Sequence, residues 1–131
     1  MTVRKAGVIG IGTMGQGIAE MLASKGLDVY LLDQSEDKLE AGITQIELSL
    51  DKQIEKWALT QSEKKQVMNR LHRMNRIDDL AQCEFVIETI TEDLEAKKQI
   101  FEELDRVCGP EVVLASNTST LSLTELASVT I

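Results

Sequence analysis

Gly7-Val8-Ile9-Gly10-Ile11-Gly12-Thr13-Met14-Gly15 is the stretch on which the reading of this chain turns. An apolar run breaks into G-x-G-x-x-G and then opens a helical pattern. A phosphate-binding turn between a strand and a helix needs these residues: Gly10 for the tight turn, Gly12 for backbone approach to a pyrophosphate, Gly15 for close helix–strand packing. The helix N-terminus adds free N–H groups and the positive end of a dipole. The glycine pattern alone is weak, and its context strengthens it. Val3 to Ile9 reads as a buried strand and Met14 to Lys25 as a helix. Leu27 to Asp33 reads as a second strand that ends in an acid. Asp33 stands 18 positions after Gly15, near the roughly 20 expected of a ribose-binding acid.

Outward from that stretch, the pattern alternates strand and helix, which predicts a Rossmann-type α/β fold with a doubly wound, mainly parallel sheet. Leu39, Ile43, Ile46, Leu50, Ile54 and Trp57 form one helical stripe. Val67, Leu71 and Met74 continue on a third helix, with Thr60 or Ser62 as its cap. The span from about 36 to 74 therefore reads as a long helical hairpin inserted beside the sheet. Ile18, Met21 and Leu22 give the first helix its apolar face. Arg76-Ile77 is a weak strand candidate; Glu84–Thr89 and Val112–Ala115 are better ones. A helix is expected from Glu92 to Val107, and another begins near Ser122.

The 131 residues make one domain, 43% hydrophobic, with net charge −8. That acidity argues against a general nucleic-acid or anionic-membrane surface. Cys83 and Cys108 form neither a disulfide framework nor a metal spacing, and no run suits a signal peptide or a membrane span. A cytoplasmic protein with no metal is expected.

Ligands in this fold lie beyond the carboxyl ends of the strands. Asp33 there would accept both ribose hydroxyls and repel a 2′-phosphate. Gln34, Ser35 and Glu36 supply no arginine, which favours NAD over NADP. Asp33 could equally cap the next helix. Lys97 falls on the stripe Leu94, Lys97, Phe101, Leu104, Cys108. Spacing leaves open whether it faces the ligand edge or snorkels at the surface. Ser116 to Thr120 is either a polar turn or a cluster that holds a carbonyl or amide. His72, the only histidine, reads as a surface residue of the third helix.

The chain resembles the N-terminal NAD-binding domain of the 3-hydroxyacyl-CoA dehydrogenases, and most the bacterial 3-hydroxybutyryl-CoA group. The resemblance rests on VIGIGTMGQGIAE (Val8 to Glu20), VIETITEDLEAKKQIFEELD (Val86 to Asp105) and LASNTSTLSLTELAS (Leu114 to Ser128). It implies oxidation of a 3-hydroxyl to a ketone with NAD, in fatty acid metabolism such as β-oxidation. It assigns Gly10, Ile11, Gly12, Thr13, Met14 and Gly15 to the pyrophosphate and Asp33 to the adenosine ribose. Glu92, Lys97, Asn117 and Ser119 fall to the nicotinamide side, with Ser119 also holding the substrate's 3-oxygen. Ser49 and Lys56 match positions that touch CoA. Thr120 departs from the family's usual serine.

The same resemblance places the catalytic histidine and a helical substrate and dimerisation domain beyond residue 131. The expected partners are thus 3-hydroxyacyl-CoA and 3-ketoacyl-CoA, with homodimerisation of the parent through that absent domain. The chain by itself is expected to be inactive. The rival readings are another β-hydroxyacid dehydrogenase and a stand-alone NAD-binding regulatory module.

Overall fold

Strand β1 (Lys5–Ile9) is the centre from which the rest of the fold is laid out. The computed structural model describes residues 4–89, 94–107 and 113–116, the side chains at 94, 96, 97 and 113–116 excepted. Helix α1 (Thr13–Ser24), β2 (Asp28–Leu32), α2 (Glu36–Glu55) and α3 (Gln61–Asn69) follow β1. Then come β3 (Leu71–Arg73), a 3-10 turn at Ile77–Leu80, β4 (Phe85–Glu88), α4 (Leu94–Val107) and β5 (Val113–Ser116). All pairings are parallel, in the order β3-β2-β1-β4-β5. The expected doubly wound parallel sheet is therefore present, and the strand order reverses between β1 and β4, where such folds open a crevice.

The core lies in two layers, one on each face of the sheet. Val8, Val29 and Leu31 meet Ala19 and Ala23 of α1 and Leu39, Ile43, Ile46 and Leu50 of α2 on one face. Ile9, Leu32 and Val86 meet Leu80, Cys83 and Leu104 on the other. Successive residues along a strand point to opposite faces, so Val8 and Ile9 fall to different layers. The buried residues of α1 are Gly15, Ala19 and Ala23, spaced by four, and their small size brings the helix down onto the sheet. Met21, expected on that face, is 52% exposed; it stands two positions from both Ala19 and Ala23, which places it on the opposite side of the helix.

Four expectations on the connecting segment are corrected. The expected hairpin does not run to residue 74. A 20-residue α2 is followed by an α3 of only 9 residues, and together they form the crossover from β2 to β3. Leu71 and His72 are on a strand, not a helix, paired with Val29 and Tyr30. Val67 and Leu71 mimic helical spacing, but the helix stops at Arg70, whose guanidinium donates to the Ala23 carbonyl. The Arg70 carbonyl then accepts from the Val29 N–H to begin the strand ladder. Arg76-Ile77 leads into the 3-10 turn, which the Asp79 carboxylate closes by accepting from the Arg76 N–H. Trp57 leaves the apolar stripe altogether: it is 95% exposed, because α2 ends one residue earlier, at its C-cap Lys56. The expected cap at Thr60 is present as a reciprocal pair with Glu63. The helix expected from Ser122 lies outside the described residues, as does Cys108. No helix among those described is long and apolar enough to cross a membrane.

Candidate functional site

The phosphate loop is held by the strands around it. Gly10 adopts φ 93°, a left-handed conformation that favours glycine, and its N–H donates to the Leu32 carbonyl. At Gly15 a Cβ would stand 1.8 Å from the Gly10 carbonyl oxygen and 2.9 Å from Thr89 Oγ1. Nothing larger than glycine fits there. The Thr89 hydroxyl lies 2.6 Å from the Gly10 carbonyl oxygen and so ties the loop to the end of β4. Sequence reasoning missed Thr89; its only signal was its place just after a strand on the ligand side.

Gly12 differs from the other two. Its φ of −82° suits any residue, and a Cβ built on it would meet nothing within 4 Å among the described residues. Neither backbone strain nor packing requires glycine at this position. Gly12 is the N-cap of α1 and has no side chain with which to cap it, and the first turn carries no acid. The result is an open cradle at a helix end with backbone N–H groups to offer, which suits a pyrophosphate.

Asp33 sits beside that cradle. One of its carboxylate oxygens accepts from the Ile11 N–H at 2.8 Å, the other from the Gln34 N–H at 2.7 Å. These bonds orient the carboxylate and leave lone pairs for two further donors. The alternative role as a helix cap is not found: Ser35 caps α2, its hydroxyl accepting from the Lys38 N–H.

A pocket of about 220 Å³ adjoins Asp33, lined by Ile9, Leu32, Gln34, Asn75, Arg76, Ile77 and Ile100. An arginine therefore stands near Asp33 after all, brought from the loop after β3 rather than from positions 34 to 36. It is paired with Asp78 at 2.5 Å.

Ser49 and Lys56 lie on the second half of α2. The Ser49 hydroxyl is 3.5 Å from Gln53 Nε2, which also donates to Glu20. Lys56 is exposed and, among the described residues, has no ion-pair partner. Gly42 of the same helix packs against the Ile11 backbone and side chain. Lys56 is 14 residues further on, roughly 21 Å along the axis at 1.5 Å per residue. A ligand touching both the loop and Lys56 must be long.

His72 is not on a helix but does lie away from the ligand edge. Its ring stacks on Tyr30 at 4.9 Å between centroids, and Nε2 is 2.9 Å from the carboxylate of Asp28, the first residue of β2. Lys97 falls within α4, on the turn before the buried Phe101 and Leu104, but its side chain is outside what is described. Glu92, Asn117 and Ser119 lie outside the described residues, as does the rest of the Asn117–Thr120 cluster.

Residues 5–131 match the family model described as the NAD-binding domain of 3-hydroxyacyl-CoA dehydrogenase. A 3-hydroxybutyryl-CoA dehydrogenase of Bradyrhizobium diazoefficiens is 44% identical over 98% of this chain and 44% of its own length. A 3-hydroxyadipyl-CoA dehydrogenase of Escherichia coli is 39% identical over 98% of this chain and 27% of its own length. In structure, the (S)-3-hydroxybutyryl-CoA dehydrogenase of Ralstonia eutropha superposes with a TM-score of 0.95 at 39% identity. That match covers 98% of this chain and 46% of the other. The chain thus spans less than half the length of these relatives.

Proposed function

Since the chain belongs to the NAD-binding domains of the 3-hydroxyacyl-CoA dehydrogenases, we propose that it is the cofactor half of an enzyme oxidising the 3-hydroxyl of a 3-hydroxyacyl-CoA to a ketone. A short chain such as 3-hydroxybutyryl is the acyl group several relatives are named for. One observation supports the reading most: Gly12, at the N-terminus of α1, where an added Cβ would meet no atom of the described residues within 4 Å, beside the oriented carboxylate of Asp33.

On this reading the loop from Gly10 through Ile11, Gly12, Thr13, Met14 and Gly15 holds the pyrophosphate through backbone N–H groups, with Asp33 accepting from the ribose hydroxyls. NAD, when bound, supplies the hydride acceptor. Glu92, Lys97 and Asn117 line the nicotinamide side, and Ser119 donates to the substrate's 3-oxygen. Ser49 and Lys56 meet the CoA moiety, where a lysine pairs with phosphate. A general base from the second domain of the longer parent removes the hydroxyl proton. The same domain forms the homodimer, and the parent is cytoplasmic.

The length of α2 between the loop and Lys56 favours a CoA thioester over a free hydroxy acid, which is too short to reach. The test is calorimetric titration of the chain with NAD, CoA and free 3-hydroxybutyrate. NAD and CoA should bind and free 3-hydroxybutyrate should not, and Lys56→Ala should weaken CoA alone. Equal responses to CoA and the free acid would refute the assignment of Ser49 and Lys56 and favour a different β-hydroxyacid dehydrogenase.

A further inference from the structure

The pocket beside Asp33 contains a residue that neither the family match nor the motif assigns. We propose that Arg76 forms the outer wall of an adenine slot, with its guanidinium plane against the base and Asp78 holding it in place. The inference rests on the reading that the Asp33 end of the crevice receives the adenosine.

The pocket has the composition such a slot requires. Ile9, Leu32, Ile77 and Ile100 supply apolar lining, and Asp33 lines it with them. Its volume of about 220 Å³ is below the roughly 300–1,000 Å³ of sites that enclose a whole drug-sized ligand, as expected for one part of a dinucleotide. An adenine ring has apolar faces and polar edges, so an isoleucine lining satisfies one face and leaves the other in need of a flat partner.

Arg76 is anchored for that role. Its backbone N–H and that of Asn75 both donate to the Asp79 carboxylate, at 3.1 and 3.2 Å. Its guanidinium donates to Asp78. The side chain is 71% exposed, and an ion pair that open contributes little to folding. Folding therefore does not account for the arrangement.

The charge balance favours stacking over phosphate binding. Asp33 lines the same pocket, and Asp78 and Asp79 flank the guanidinium. Two carboxylates on one guanidinium, with Asp33 as a third acid lining the pocket, outweigh the single positive charge among the described residues, which disfavours a 2′-phosphate. A carboxylate-paired guanidinium still presents its flat face, which a lysine ammonium lacks. Arg76 is on this account a residue that strengthens adenine binding in either dinucleotide and leaves the choice between NAD and NADP to Asp33.

The test measures ADP, NAD and NADP affinities for the chain and for Arg76→Ala, Arg76→Lys and Asp33→Ala, with circular dichroism to confirm folding. Arg76→Ala should weaken ADP and NAD about three- to fivefold, the loss of one exposed stacking contact. Arg76→Lys should lose as much, and neither variant should change the NAD-to-NADP ratio. Recovery of affinity in Arg76→Lys, or a loss confined to NADP, would make Arg76 a plain charge and overturn the proposal. Unchanged ADP affinity in Arg76→Ala alongside weakened binding in Asp33→Ala would overturn it while the adenosine reading stands. Undiminished binding in Asp33→Ala would remove the adenosine reading and the proposal together.

Discussion

Trp57→Gly should make this chain more stable. Trp57 has φ 60°, in the left-handed region that a side chain makes costly by roughly 1–2 kcal/mol. It is held there by the way α2 ends: the Trp57 N–H donates to Ile54 and the Ala58 N–H to Gln53. Helix α1 closes with the same pair of bonds, Gly26 to Ala23 and Leu27 to Leu22, but with glycine in the left-handed position at φ 100°. The indole is 95% exposed, so removing it forfeits almost no burial. Against the relief stands the greater freedom of glycine in the unfolded chain, about 0.5–1 kcal/mol. The balance is a gain of about 0.5–1 kcal/mol, a rise in Tm of roughly 2–6 °C for a chain of this size. Thermal and urea unfolding followed by far-ultraviolet circular dichroism measures it, since Trp57 is the only tryptophan and fluorescence is lost with it. Trp57→Ala is the control: it removes the indole and keeps the Cβ. A Trp57→Gly variant no more stable than Trp57→Ala would refute the claim that the backbone is strained.

Gly12→Val should abolish NAD binding and leave a folded chain, because the added side chain occupies the cradle and its Cβ meets no atom of the described residues within 4 Å; calorimetry showing near-normal affinity would place the phosphates elsewhere. The chain should form no NADH from 3-hydroxybutyryl-CoA, since a positioned general base contributes typically ~10²–10⁴ in rate and His72 faces Asp28 and Tyr30 instead; turnover that vanishes in His72→Ala would overturn this. The Arg73 guanidinium holds the Glu40 carboxyl below its ordinary value of 4.5, so its contribution is present above that value and fades as pH falls through the lower folded one. In urea midpoints, the deficit of Glu40→Gln should accordingly be largest at neutral pH and close in acid, and a deficit independent of pH would sink the assignment.

The sheet was legible because its strands carry unambiguous signals. Val8-Ile9 runs into the glycine turn and Val86-Ile87 into Glu88 and Thr89, and each is followed by a helical pattern. Leu71-His72-Arg73 was not legible. A three-residue edge strand has too few positions to show a period of two, and Leu71 falls by chance on the stripe of α3. Trp57 failed for a related reason: periodicity records which face a residue would take if the helix continued, and carries no mark of where it stops. Arg76 was not legible as a neighbour of Asp33 because the two are far apart along the chain. The neighbour comes instead through the parallel pairing of β2 with β3, which brings the two strand ends, and the loops after them, side by side.

The glycine motif itself mixes two kinds of information that its spelling does not separate. Gly10 and Gly15 are required by the protein: one by its backbone angle, the other by a carbonyl that would collide with any Cβ. They would be glycine in this turn whether or not anything bound there. Gly12 has ordinary angles, and among the described residues nothing lies within 4 Å of where its Cβ would be. A residue that folding leaves free, yet which is the smallest possible, has its size explained by what occupies that space. The case for a dinucleotide rests less on three glycines than on the one among them that the fold does not need.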